Sequence, residues 1–143
     1  MFKYVAVALV LAVSSFNAFA DDDDDDRVTV CSRATLNGNY GFAMDGTMQP
    51  VGPVALAGII RANGAGAFSG VEVASIGGQI VQATYTGSYT VNPDCTGQAQ
   101  YQLVAPNFVA TRSMAFVITN GGKEFFMMST VPGSVISGKA QRL

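Results

Sequence analysis

From Leu36 to the C-terminus the chain alternates between apolar and polar residues with a period of two, and turn residues interrupt it at short intervals. That period belongs to strands with one face buried. In Leu36–Met44, the side chains of Leu36, Tyr40, Phe42 and Met44 fall on one face. Further runs follow at Val54–Arg61, Phe68–Ile76, Ile80–Val91, Cys95–Ala105, Phe108–Thr119, Lys123–Thr130 and Val135–Arg142. Between them lie Asn63-Gly64, Gly77-Gly78, Pro93-Asp94, Pro106-Asn107, Asn120-Gly121-Gly122 and Pro132-Gly133, all turn chemistry. No stretch of this body carries a helical period. Eight short strands joined by hairpin signals predict an all-β antiparallel meander. Closing it into an eight-stranded up-and-down barrel removes both exposed edges, and a two-sheet β-sandwich is the alternative.

The hairpin Tyr85–Gly97 can be given a trial register. Strand four places Val81, Ala83, Tyr85, Gly87, Tyr89 and Val91 on one face, and strand five places Cys95, Gly97, Ala99, Tyr101 and Leu103 on one face. Pairing Val91 with Cys95 sets Tyr89 against Gly97, Gly87 against Ala99 and Tyr85 against Tyr101. Large then opposes small along most of the face, as a barrel interior requires. Asn92, forced away from helical angles by Pro93, argues for a loop longer than three residues.

The chain before Leu36 reads differently. Lys3, the apolar run Val5–Val13 and the small-x-small site Ala18-Phe19-Ala20 predict a signal peptide over 1–20. The run is too short for a comfortable membrane span, so no stable span is expected after cleavage. Asp21–Asp26 then form a like-charge run, and 21–30 is expected to be an acidic, extended tail ahead of a single domain over 31–143. This run changes the meaning of the formal charge of −2. From Arg27 onward the basic residues are Arg27, Arg33, Arg61, Arg112, Lys123, Lys139 and Arg142, against Asp45, Glu72, Asp94 and Glu124. The body is mildly basic, but its cations are dispersed and do not make a nucleic-acid footprint.

Two cysteines, Cys31 and Cys95, lie in this body. In a secreted or periplasmic chain they are expected to pair. The bond would close a loop of about 65 residues, a constraint of roughly 4 kcal/mol in the chain-entropy picture. Metal ligation and a redox pair are the alternatives, and neither fits well: the chain has no histidine and no C-x-x-C. The absence of histidine also excludes a Ser-His triad. Gly64-x-Gly66-x-x-x-Gly70 has neither the spacing nor the following helix of a dinucleotide loop. No catalytic residue, metal site or cofactor is assigned.

Leu36-x-Gly38-x-Tyr40-x-Phe42, Gly87-x-Tyr89-Thr90-Val91-x-x-Asp94-Cys95-x-Gly97, Gly122-Lys123-Glu124 and Ser137-Gly138-x-Ala140-x-Arg142 together resemble a family of small exported bacterial proteins of unknown function. The resemblance spans nearly all of the chain after the leader. It implies an eight-stranded barrel of the calycin or allene-oxide-cyclase kind. None of the functional residues of such barrels maps onto this chain, so the resemblance implies no site, and fold alone does not fix function.

Two charges stand out against the strand pattern. Glu72 shares a face with Phe68, Ala74 and Ile76, and Arg112 shares one with Phe108, Ala110, Met114, Phe116 and Ile118. If these faces point inward, a carboxylate and a guanidinium lie inside, where each needs a partner or a ligand. Glu72, Arg112, Tyr85, Tyr89 and Tyr101 are then the candidate ligand-binding residues. A one-residue slip reverses a strand's faces, and the pattern prefers that arrangement, with Val71 and Val73 in the core and Glu72 in water. Arg112 is the stronger of the two, because the other face of its strand is more polar.

The leading expectation is a non-catalytic barrel that binds a small apolar or amphipathic ligand in its interior. A self-associating homo-oligomeric envelope or extracellular protein comes second, and a cyclase- or isomerase-like barrel enzyme third. A solidly packed interior would exclude the first and third.

Overall fold

The structure, a computed structural model, describes residues 29–143. The expected signal peptide and nearly all of the acidic tail lie outside the described residues. The body forms eight strands: β1 (Asn37–Met48), β2 (Gly52–Asn63), β3 (Ala67–Ile76), β4 (Gln79–Val91), β5 (Thr96–Ala105), β6 (Phe108–Thr119), β7 (Glu124–Ser129) and β8 (Ser134–Arg142). Each pairs antiparallel with the next, and β8 pairs back on β1, so the sheet is a closed up-and-down barrel. No edge is left to template association.

Strand pairing is staggered around the barrel. The partners of Val109 run through Val104, Thr84, Val71, Ile59, Gly41, Gln141 and Glu124, and the path returns to β6 at Thr119 rather than at Val109. Such a stagger tilts the strands and sets the width of the interior. Side chains alternate accordingly. Tyr40, Phe42, Phe68, Tyr85, Tyr89, Phe116 and Phe125 are buried inside. Thr84, Thr86, Thr90, Gln98, Gln100 and Gln102 stand exposed outside.

Interior glycines make the curvature feasible. At Gly58, Gly70, Gly87 and Gly138 a side chain would strike a backbone carbonyl of the neighbouring strand. At Gly70 it would also strike the Tyr85 ring, and at Gly97 the Phe116 ring. The strands bend inward at these positions because no Cβ stands in the way, and the aromatic rings occupy the relief.

The β4–β5 hairpin has a register two residues away from the trial one. Val91 faces Gly97, Tyr89 faces Ala99, Gly87 faces Tyr101 and Tyr85 faces Leu103. The cause lies in the loop. Cys95 N–H donates to the Asn92 carbonyl (3.0 Å) across a turn with Pro93 inside it, and Asn92 N–H donates to Thr96 (2.8 Å). Cys95 takes a left-handed φ of 72°, and the Asp94 carboxylate accepts from the Thr96 N–H and hydroxyl (3.0 and 2.6 Å). Those bonds hold the Asp94 carboxyl below its ordinary range. Tyr85 and Tyr101 still meet, diagonally rather than directly, with centroids 5.5 Å apart.

One end of the barrel is plugged. Cys31 and Cys95 are disulfide-bonded, with Cα atoms 4.9 Å apart, and the bond pins the segment before β1 to the β4–β5 turn. Cys31 N–H also donates to the Pro93 carbonyl (3.1 Å). A short 3-10 turn, Arg33–Thr35, then lays Leu36 into the opening. The Tyr89 hydroxyl donates to the carbonyls of Leu36 and Arg33 (2.9 and 3.0 Å). Tyr40, fully buried, donates to the Gly122 carbonyl (2.6 Å) and accepts from Arg142 (2.9 Å), whose guanidinium also lies over its ring. The Phe125 ring packs edge-on against Tyr40 and tilted against Phe116.

The glycine relief yields a stability prediction. Gly70→Ala must displace both the Ile59 carbonyl and the Tyr85 ring, and overpacking of this kind costs about 1–3 kcal/mol or more. Urea denaturation is expected to show a loss at the upper end of that range. A Gly70→Ala variant as stable as the parent would show that the interior is not held at this density.

Candidate functional site: a cavity in the open half of the barrel

The other end, at the β1–β2, β3–β4, β5–β6 and β7–β8 turns, carries no such plug among the described residues. Beneath its rim lies a cavity of about 60 Å³. Met44, Leu56, Ala83, Leu103 and Ile136 line its wall, and Met48, Ile76, Val81, Phe108 and Val131 form the rim. Water needs only about 10–15 Å³ of such space, whereas drug-sized sites run to roughly 300–1,000 Å³. The cavity therefore suits a small or slender molecule. Met44, Met48 and Met114 are soft walls that can give way.

Its ionisable groups come from three strands. β3 brings in Glu72, which is 9% exposed. The orientation preferred from the sequence pattern is thus reversed: Val71 and Val73 lie on the outside, 40% and 47% exposed. The reason is pairing continuity. Glu72 stands opposite Gly58 on β2 and Ala83 on β4, so it shares the interior face of strands whose large residues must be inside. The two small neighbours leave room for its side chain.

β6 brings in Arg112, half-buried, beside its register partner Tyr101 on β5. The Tyr101 ring packs on Tyr85 and, edge-on, on Phe68. Glu72, Tyr101 and Arg112 all line the cavity. None of their side chains hydrogen-bonds to any other described residue, and Glu72 and Arg112 do not come within the 4.0 Å of an ion pair. The Ser134 hydroxyl, also on the cavity wall, is buried without a hydrogen-bond partner.

Burial pushes the Glu72 carboxyl above its ordinary range, and the Arg112 charge pulls it partly back. The Tyr101 hydroxyl is pushed up to about 12 by burial and by Glu72, with Arg112 opposing, so it remains a protonated donor at neutral pH. Tyr85 is raised by burial, then by Glu72 and Tyr101.

Of the five candidate residues, Glu72, Arg112 and Tyr101 come together. Tyr85 sits one layer lower, around a small void of about 20 Å³ that Glu72 and Tyr101 also border. Its hydroxyl is committed to the Ile59 carbonyl (2.7 Å). Tyr89 belongs to the plug at the far end and does not reach the cavity. Ser134 and the rim residues had no signal in the sequence, since single serines and methionines beside turns look alike whichever end of a barrel they occupy. Among the described residues no cluster of His, Cys, Asp and Glu could hold a metal ion, and no helix is long and apolar enough to cross a membrane.

Comparison with protein-family models, with curated proteins and with solved structures finds no match to this chain. The fold is consistent with a calycin-like barrel on its topology alone.

A raised carboxyl makes stability depend on pH. The folded state holds the Glu72 proton more tightly than the unfolded chain does, whose ordinary value is 4.5. Its contribution is therefore full below that value and is lost as pH rises through the raised one. Glu72→Gln is expected to gain stability over the parent as pH is taken from about 4 to 7.5, followed by urea denaturation. A stability difference independent of pH would mean that the carboxyl is not buried as described.

Proposed function

We propose that the protein is an exported, non-catalytic barrel that holds a small amphipathic ligand in its open half. One observation carries this reading: the side chains of Glu72, Tyr101 and Arg112, with no hydrogen-bond partner among the described residues, line a largely apolar cavity just below the rim. A buried charge without a partner costs several kcal/mol, and in a core built for stability alone an apolar residue would serve better. The apolar body of a ligand would lie against Leu56, Val81, Leu103 and Phe108, with its head at Glu72, Arg112 and Tyr101. Export to a periplasmic or extracellular space accompanies the proposal. It is supported by the leader pattern and by a disulfide of the kind that persists in oxidising compartments. Membership of the exported bacterial family named above is proposed on the same motifs.

A second reading, self-association, is supported by the outer face of β6–β8. Val117, Phe126, Met128 and Val135 are 45–75% exposed there, and contiguous apolar surface commonly marks an interface.

Native mass spectrometry of protein purified from its own host should find a small-molecule adduct that is absent from an Ala83→Phe variant, whose new ring would occupy the cavity. Bare protein, or an adduct that survives Ala83→Phe, would refute interior binding. For the second reading, light scattering during size-exclusion chromatography should show a mass above the monomer, and a monomer at high concentration would dismiss it.

A further inference from the structure

The balance of hydrogen-bonding groups around the cavity indicates what kind of head group fits there. Arg112 presents up to five N–H donors and no acceptor. Tyr101 and Ser134 add hydroxyls that have no acceptor among the described residues. Glu72 is the one group that can only accept when ionised, and it becomes a donor when protonated. A cationic head would satisfy Glu72 alone and would face the Arg112 charge. A neutral hydroxyl would leave most donors unmatched. A carboxylate offers about four lone-pair sites, suits the guanidinium fork, and can accept from Tyr101 or Ser134 as well.

We propose that the ligand is a small monocarboxylate with a slender apolar tail, seated head-inward on Arg112 and taken up together with one proton that resides on Glu72. This rests on the interior-binding reading above. The depth of the groups agrees with it. Glu72 lies below Ala74 and Ile76 on β3, and Arg112 lies below Ala110 and Phe108 on β6, so the polar set is beneath an apolar rim through which a tail can lie.

The proton follows from the charges. An ionised Glu72 and a bound carboxylate would both be negative in one desolvated space, with Arg112 the single opposing charge. Like charges so placed do not both stay ionised. One proton passes from the buffer to a carboxyl oxygen of Glu72, which then donates a hydrogen bond, and no covalent bond of the ligand changes. No other group competes for this role. From β1, β2, β7 and β8 the interior faces Glu72 with Phe42, Met44, Leu56, Ile60, Met127 and Ile136. Tyr85 and Tyr101 remain protonated at neutral pH. Asp45 is exposed on the outside, and Arg61, also on the outer face, reaches the site only as a distant charge on Tyr85.

The test is titration calorimetry of the ligand-free protein with hexanoate, hexylamine and hexanol, at neutral pH in two buffers of unlike ionisation enthalpy. Hexanoate should bind, hexanol at least about tenfold more weakly, and hexylamine not at all. The hexanoate heat should differ between buffers by the uptake of up to one proton. Glu72→Gln should still bind hexanoate, with the buffer difference gone. Arg112→Met should lose hexanoate by about tenfold or more and keep whatever hexanol binding the parent has. Circular dichroism melts would confirm that both variants fold. Preference for the amine or the alcohol would overturn the head-group assignment, and hexanoate binding without proton uptake would overturn the accompanying proton; either result leaves interior binding standing. No binding by any of the three would overturn both.

Discussion

Closure of the sheet is the constraint on which the other features depend. Once β8 pairs with β1, the interior cross-section is set by strand number and stagger, and side chains must fill it from the inside faces alone. The chain meets this with rings and glycines in alternation. Tyr85 lies over Gly70, Tyr101 opposite Gly87, and Phe116 over Gly97. Rings need space that neighbouring Cβ atoms would take, and strands need glycine to bend toward the axis. One substitution pattern answers both needs.

The same constraint divides the barrel into two halves. The aromatic residues gather toward the end where the 3-10 turn, Leu36 and the disulfide close the opening, and there the hydroxyls of Tyr40 and Tyr89 are all satisfied by backbone. Toward the other end the interior residues become smaller or more flexible: Ala74, Ala83, Met44, Met48 and Leu103. Cross-section that is not filled there becomes cavity. The interior is thus filled mainly by rings in one half, where a void of about 30 Å³ remains beside Leu36, Phe68 and Tyr89, and is more open in the other, where the cavity is about 60 Å³, an outcome between the two that a barrel of this size allows.

Glu72 and Arg112 are where local stability and the fold part company. Two ionisable side chains without hydrogen-bond partners among the described residues, in an apolar interior, are unfavourable for folding. That makes the pair the feature of the barrel with least structural justification, and charges of this kind concentrate where ligands are held.

Strand positions, the antiparallel order, the inward set on β1, β4, β5 and β6, and the pairing of Cys31 with Cys95 were all legible from the chain itself. Each depends on information a few residues long, or on there being two cysteines to pair. The side on which Glu72 lies was not legible. The alternation Val71-Glu72-Val73 favours the opposite face, with two valines flanking one charge, and only pairing with Gly58 and Ala83 turns Glu72 inward. The β4–β5 register was not legible either, because Cys95 enters a left-handed conformation that a period-two pattern does not reveal. Nor was the separation of Tyr89 from Tyr101, which share an alternating pattern but end in opposite halves of the barrel. Local periodicity determined what each strand is and which residues share its face. Closure decided which face is inside, which end is plugged, and which charges meet, since those depend on strands far apart in the chain being brought side by side.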